Sequence, residues 1–158
     1  MRRQLTLFVA EDNQVIESIR AKFNPEQFQL IPAHVTLCRE DEIEPINKVI
    51  ENIQSICLAE PLCLEFDKIR RFSGGKGVWI PGKGENVEFH KLRKAILQGV
   101  VEPPQKQEAH ITLMHPRNAT CTDELFQQLI QYSFPSKLHF NKISFIEQQQ
   151  SGGKWKIL

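Results

Sequence analysis

The strongest constraint in this sequence is a short string that occurs twice. His34-Val35-Thr36-Leu37 and His110-Ile111-Thr112-Leu113 share the pattern His-aliphatic-Thr-aliphatic, and each follows an alanine. The chain has 158 residues, with 5 His, 5 Thr and 38 Ile, Leu or Val. At that composition the pattern arises by chance about 0.01 times, and twice with a chance on the order of 10⁻⁴. Short alternating runs of this kind are strands, in which residues i and i+2 share a face roughly 6.7 Å apart. His34 and Thr36 therefore point one way and Val35 and Leu37 the other; His110 and Thr112 are set in the same manner against Ile111 and Leu113. The aliphatic faces can pack under helices, which leaves the polar faces to water or a ligand.

The rest of the chain repeats around these strings. Leu5 to Ala10 predicts a buried strand, Glu11-Asp12-Asn13 supplies N-cap chemistry, and Val15, Ile16, Ile19 and Phe23 mark one helical face that Asn24-Pro25 ends. After the strand at 33–38 comes a helix with Pro45 in its first turn, then an alternating strand through Leu62, Leu64 and Phe66. The second half offers a strand at 77–80, a helix capped by Asn86, the motif strand at 109–114, a helix opening at Thr122, strands around Leu138 and Phe145, and an edge strand within 153–158. Leu62 and Leu138 lie 76 positions apart, as do His34 and His110. This pattern predicts one domain over 1–158, with lobes of approximately 1–72 and 73–158 that can exchange terminal strands. Facing lobes would put one motif on each wall of a cleft.

What could two His and two Thr do together? An unperturbed imidazole titrates near 6.5, so one ring can act as base and another as acid at neutral pH. That division suits in-line attack at phosphorus, with each Thr hydroxyl donating to a non-bridging oxygen. A lone strand histidine is ordinarily a packed or surface residue, but packing alone does not require a Thr two places after each of two histidines. Two His and two Thr make a poor ligand set for the common divalent ions, so no metal is expected. No Gly-x-Ser-x-Gly string or Cys–His context supports a covalent nucleophile.

Composition narrows the setting. A net charge of +1 gives no sign of a duplex-binding surface or a polybasic anchor. No run approaches the ~18 apolar residues of a membrane span, and the apolar run after Met1 is too short for a signal peptide. Cys38, Cys57, Cys63 and Cys121 lack Cys-x-x-Cys spacing and a nearby His cluster, so no structural zinc site is expected, and a cytoplasmic protein with free thiols is the default.

The two strings in a duplicated pattern resemble the two-histidine phosphoesterase superfamily, which includes the bacterial 2′-5′ RNA ligase-like proteins and the plant and fungal cyclic phosphodiesterases. Leu5 to Ala10, a strand before a helix, is similar to the opening of the RNA ligase-like branch. The resemblance implies a bilobal α+β fold, with two antiparallel sheets forming a concave cleft and helices outside. It further implies cofactor-free hydrolysis or transfer at a 2′,3′-cyclic or 2′-5′ phosphodiester of an RNA 3′ end or a small nucleotide. His34 and His110 would be acid and base, in an order set by substrate orientation, and Thr36 and Thr112 would bind phosphate. With a ribose hydroxyl in place of water the same chemistry becomes 2′-5′ ligation; a non-catalytic RNA- or nucleotide-binding module is the alternative of another class.

Five further residues are candidates for substrate binding. Arg117 follows the second motif and can clamp a phosphate. Residues 70–79 read as a basic, Gly-rich hairpin in which Phe72 or Trp79 can stack a base and Lys76 can meet a phosphate. Arg39 follows the first motif at the cleft rim. His115 lies an odd number of residues from His110, so strand alternation predicts that it faces away. His90 and His139 have no catalytic context, and a monomer is expected.

Overall fold

A computed structural model describes residues 1–11, 13–57 and 60–158. Asp12, part of the expected N-cap signal, lies outside the described residues. The elements run β1 (Arg2–Phe8), α1 (Gln14–Phe23), α2 (Pro25–Leu30), β2 (His34–Cys38), α3 (Ile46–Ser55), β3 (Leu62–Glu65) and β4 (Arg70–Arg71). They continue with β5 (Val78–Pro81), α4 (Val87–Ile96), β6 (His110–Met114), α5 (Asp123–Leu129), β7 (Lys137–Phe140), β8 (Ser144–Gln148) and β9 (Lys156–Ile157). The class is α+β with two antiparallel sheets, as expected from the resemblance: seven strands in the order β4-β5-β6-β2-β1-β8-β9, and the pair β3-β7.

The larger sheet has a near-twofold pattern centred between β2 and β6. Outward from that centre, β2 is followed by β1 and β8, and β6 by β5 and β4. Each flank thus ends on a strand from the other half of the sequence, since β8 joins β1 and β4 joins β5. The helices cross over as well: α1 packs on β6 and α4 on β2.

Apolar faces hold this arrangement. Leu5, Leu7, Val35, Leu37, Ile80, Ile111 and Leu113 of the sheet are buried in one cluster with Ile16 and Ile19 of α1 and Phe89, Leu92 and Ile96 of α4. Leu64, Leu138 and Phe140 of the smaller sheet join the same cluster. Sheet alternation gives β2 and β6 an identical burial pattern, in which His and Thr are half-buried and Val35 and Ile111 are fully buried.

Both motif strands carry a bulge at the same point. Thr6 faces Thr36 but Leu5 faces Cys38, and Trp79 faces Thr112 but Val78 faces Met114. An extra residue on the motif strand breaks the alternation, so Leu37 and Cys38 are both buried, as are Leu113 and Met114.

Local sequence signals work in some places and are redirected in others. Pro25 ends α1 by opening α2 at its first position. Thr122 caps α5, its hydroxyl accepting from the Leu125 N–H at 3.2 Å. Asn86 precedes α4 but does not cap it with its side chain; the amide instead pairs with Glu65, accepting from its N–H at 3.0 Å and donating to its carbonyl at 3.1 Å. That leaves Asn86 at φ 42°, in the left-handed region that asparagine tolerates. The four cysteines are free thiols, Cys38 and Cys121 buried and Cys57 and Cys63 exposed.

Candidate active site

The site follows from one register. β2 and β6 are antiparallel with Val35 opposite Ile111. Continuing that pairing by one residue either way sets His34 opposite Thr112 and Thr36 opposite His110. All four side chains then leave the same face of the sheet, away from the core that Val35 and Ile111 enter. Cross-strand neighbours on one face lie about 5 Å apart and diagonal ones about 7–8 Å. Each histidine thus has the other half's threonine beside it, with the two imidazoles on the diagonal.

The ring orientations also match across the halves. His34 Nδ1 lies 2.8 Å from the Pro32 carbonyl and His110 Nδ1 lies 3.0 Å from the Glu108 carbonyl. A carbonyl only accepts, so Nδ1 carries the proton in both rings and Nε2 is left for the site. In a neutral ring that Nε2 is a base; in an imidazolium it is an acid. Neither Nε2, nor the hydroxyl of Thr36 or Thr112, has a protein hydrogen-bond partner among the described residues.

Burial depresses both imidazoles. Desolvation pushes His34 down to about 4, helped by the charges of Arg20, His110 and His115, against the opposing pull of its Pro32 hydrogen bond. His110 is also lowered by desolvation, with the Glu108 hydrogen bond opposing. Of the groups whose charges act on His34, Arg20 is a fixed cation, and His110 and His115 add positive charge only when protonated.

Aromatic rings enclose both histidines. Phe8, the cross-strand neighbour of His34 on β1, meets its ring edge-on at 6.3 Å. Trp79 is opposite Thr112 and approaches His110 at 5.3 Å and 80°. Phe72 stacks on Trp79 at 5.3 Å and 18° and lies 6.4 Å from His110. The hairpin that brings Phe72 here turns through Gly74 and Gly75 at φ 87° and 74°. A Cβ on Gly77 would meet the Met114 carbonyl at 2.6 Å and the Phe72 ring at 2.7 Å, so only glycine permits this close approach.

The remaining candidates are less closely drawn in. Lys76 is exposed on the hairpin tip, where its carbonyl accepts from the Cys121 N–H at 2.7 Å. Arg117 is exposed, with no carboxylate partner among the described residues. Arg39 pairs with Asp41 at 3.5 Å, and its N–H donates to Glu42 at 3.1 Å, which ties it into the turn after β2.

His115 lies beyond the reach of the parity expectation. The bulge at Leu113–Met114 breaks the alternation, and β6 ends at Met114, so regular strand parity does not carry through to His115. Its Nδ1 accepts from the Arg117 N–H at 3.1 Å, and its backbone N–H donates to Asn24 at 2.8 Å. Phe8 fell within the strand expected at 5–10, but nothing in the sequence singled it out, and its place beside His34 needed the register. Nothing in the sequence marked the bulge or Arg20, because an arginine at mid-helix reads as solvated.

Comparison with known proteins adds the lineage. The family model described as the 2′-5′ RNA ligase superfamily matches residues 8–152. No curated protein matches the sequence. Among solved structures, Escherichia coli LigT complexed with phosphate is similar at TM-score 0.65 and 15% identity, covering 99% of this chain and 92% of that one. LigT complexed with 3′-AMP is similar at 0.63 and 16%, covering 99% and 94%. TT0787 of Thermus thermophilus is similar at 0.59 and 14%, covering 100% and 95%. At these identities the structural likeness speaks to the fold.

Proposed function

As the chain belongs to the 2′-5′ RNA ligase superfamily, we propose that it is a metal-independent phosphoesterase of 2′,3′-cyclic phosphates or 2′-5′ phosphodiester linkages, at RNA ends or on nucleotides. The observation that carries this reading is the Val35–Ile111 register, which gathers two imidazoles and two hydroxyls on one face. Their diagonal spacing suits a phosphate with a hydrogen bond on either side. One histidine takes the proton of the attacking hydroxyl or water through Nε2, and the other gives its Nε2 proton to the leaving oxygen. Thr36 and Thr112 donate to the non-bridging oxygens as charge builds there.

Around this centre, the Phe72–Trp79 stack beside His110 takes a base, and Lys76, Arg117 and Arg39 meet phosphates along the strand. Arg39, already paired with Asp41, contributes least. The solved complexes of the similar LigT with phosphate and with 3′-AMP support a nucleotide substrate. No helix of the described residues is long and apolar enough to cross a membrane. The reading carries with it a cytoplasmic monomer that needs no cofactor. Run in reverse with a ribose hydroxyl as nucleophile, the same groups join RNA ends through a 2′-5′ linkage.

The test is turnover of a nucleoside 2′,3′-cyclic monophosphate and of a short RNA ending in a cyclic phosphate, both in EDTA. Wild type turns over at least one, and His34→Ala and His110→Ala each abolish it. A wild type inert on both, or variants that keep their rate, overturns the reading and leaves nucleotide binding.

A further inference from the structure

Two arginines are buried among the helices, at the same place in the two halves. Arg20 and Arg93 are each the seventh residue of a ten-residue helix, α1 and α4, and each is 1% exposed. Both hold a backbone carbonyl of the segment leading into their own half's motif strand. Arg93 donates to Gln105 at 2.8 Å and also to Leu37 of β2; Arg20 donates to Ile31 at 2.7 Å and to Gln27 at 3.5 Å.

Their counter-charges differ. Arg93 meets Glu42, a carboxylate with no exposure, through both terminal nitrogens at 2.6 and 3.2 Å. Arg20 meets Glu17 at 2.6 Å, but Glu17 is 32% exposed and its other oxygen accepts the Ala33 N–H. Arg20 Nε is buried without a partner. The consequence falls on one histidine only. Arg20 and Glu17 grip Ile31 and Ala33, the residues on either side of Pro32, whose carbonyl fixes His34. The Arg20 charge also reaches His34, whereas no arginine acts on His110.

We infer that Arg20 is a positioning residue of this site: it aims His34 through residues 31–33 and bears its fixed charge on that ring, which makes His34 the base and His110 the acid when a cyclic phosphate opens. The inference rests on the phosphoesterase reading. His34 Nε2 takes a proton from water as the water oxygen bonds to phosphorus. His110 Nε2 gives its proton to the ribose oxygen whose bond to phosphorus breaks. The charges that act on His34 are those of Arg20 from α1, His110 from β6 and His115 from the turn that follows; Phe8 from β1 meets its ring, and Glu17 of α1 holds the neighbouring Ala33 N–H. Of these, Arg20 is the fixed cation, since the two imidazoles themselves titrate.

The experiment is NMR titration of His34 and His110 in the full chain without substrate, alongside the pH dependence of kcat/KM. In wild type His34 titrates near 4. Arg20→Gln moves it upward and leaves His110 in place, and the acidic limb of kcat/KM moves with it. Glu17→Gln keeps the Arg20 charge and produces no rise. Arg20→Lys, which keeps the charge but reaches fewer carbonyls, lowers kcat while holding the titration low. An unmoved His34 in Arg20→Gln overturns the inference. So does an equal rise in Arg20→Gln, Arg20→Lys and Glu17→Gln, as loosened packing alone would give. Because the titration needs no substrate, failure of the enzymatic reading and failure of this inference are separable.

Discussion

Removing the Glu42 carboxylate tests how the motif strand is held from behind. Glu42 Oε1 accepts from Arg93 at 2.6 Å and from the Gln105 N–H at 3.2 Å; Oε2 accepts from Arg93 at 3.2 Å and from the Arg39 N–H at 3.1 Å. Glu42→Ala breaks all four bonds and leaves a guanidinium in a site that is 1% exposed. Breaking one side of a buried pair costs about 3–5 kcal/mol, because the remaining charge keeps its desolvation penalty without its partner. For a domain of this size each kcal/mol lowers Tm by about 2–4 °C, so the transition should fall by about 6–20 °C. Urea unfolding at constant m would measure the loss. Replacing both partners, Glu42→Leu with Arg93→Met, should recover most of it, since the unpaired charge disappears. A single-variant loss below about 1 kcal/mol would refute the reasoning, as would a double variant weaker than the single one.

Three other outcomes follow from the same structure. Thr36→Val and Thr112→Val keep the shape of the strand but remove one donor each; kcat/KM on a cyclic phosphate should drop about 10- to 100-fold per site with Tm nearly unchanged. Trp79→Ala removes one ring of the stack beside His110 and should raise KM for a nucleotide more than it lowers kcat, by about 1–3 kcal/mol of lost stacking, read by steady-state kinetics. His34, held from 6.5 down to about 4, resists protonation in the folded state while the unfolded chain accepts the proton, so stability falls as pH drops from about 6.5 through 4. The full shift is worth about 3 kcal/mol, reduced to about 1–2 by the ring's partial exposure. Unfolding at pH 7 and pH 4 in wild type and His34→Gln would show that difference, and equal losses in the two proteins would contradict it.

The motif strands were legible because His-x-Thr alternation imposes a two-residue period that only a strand satisfies. The helices were legible from rows such as Phe89, Leu92 and Ile96, all of which are buried. Register was not, because no local signal says that Val35 meets Ile111, and that pairing is what assembles the site. The duplication was also only partly visible. The motif strands keep the offset of 76, as do the buried residues Leu62 and Leu64 of β3 with Leu138 and Phe140 of β7, whereas α1 and α4 are offset by 73, because the segment between α4 and β6 is three residues longer than that between α1 and β2. Strand parity could not be carried to His115, because β6 holds a bulge whose extra residue is an ordinary apolar one and ends at Met114. Arg20 and Arg93 were invisible for a related reason: arginine on a helix is expected to reach water, and only the fold supplies the carbonyls and carboxylates that let both be buried.

The central claim is that two imidazoles on one sheet face act as an acid–base pair, and the pH dependence of kcat/KM for a nucleoside 2′,3′-cyclic phosphate tests it most directly. With both rings depressed by burial, the free enzyme should give a bell whose rising limb lies near 4, where His34 loses its proton, and whose falling limb lies below 6.5, where His110 loses its own. His34→Ala and His110→Ala should be too slow to trace either limb. A profile that is flat across pH 4–8, or one with a single limb, would contradict the two-histidine account.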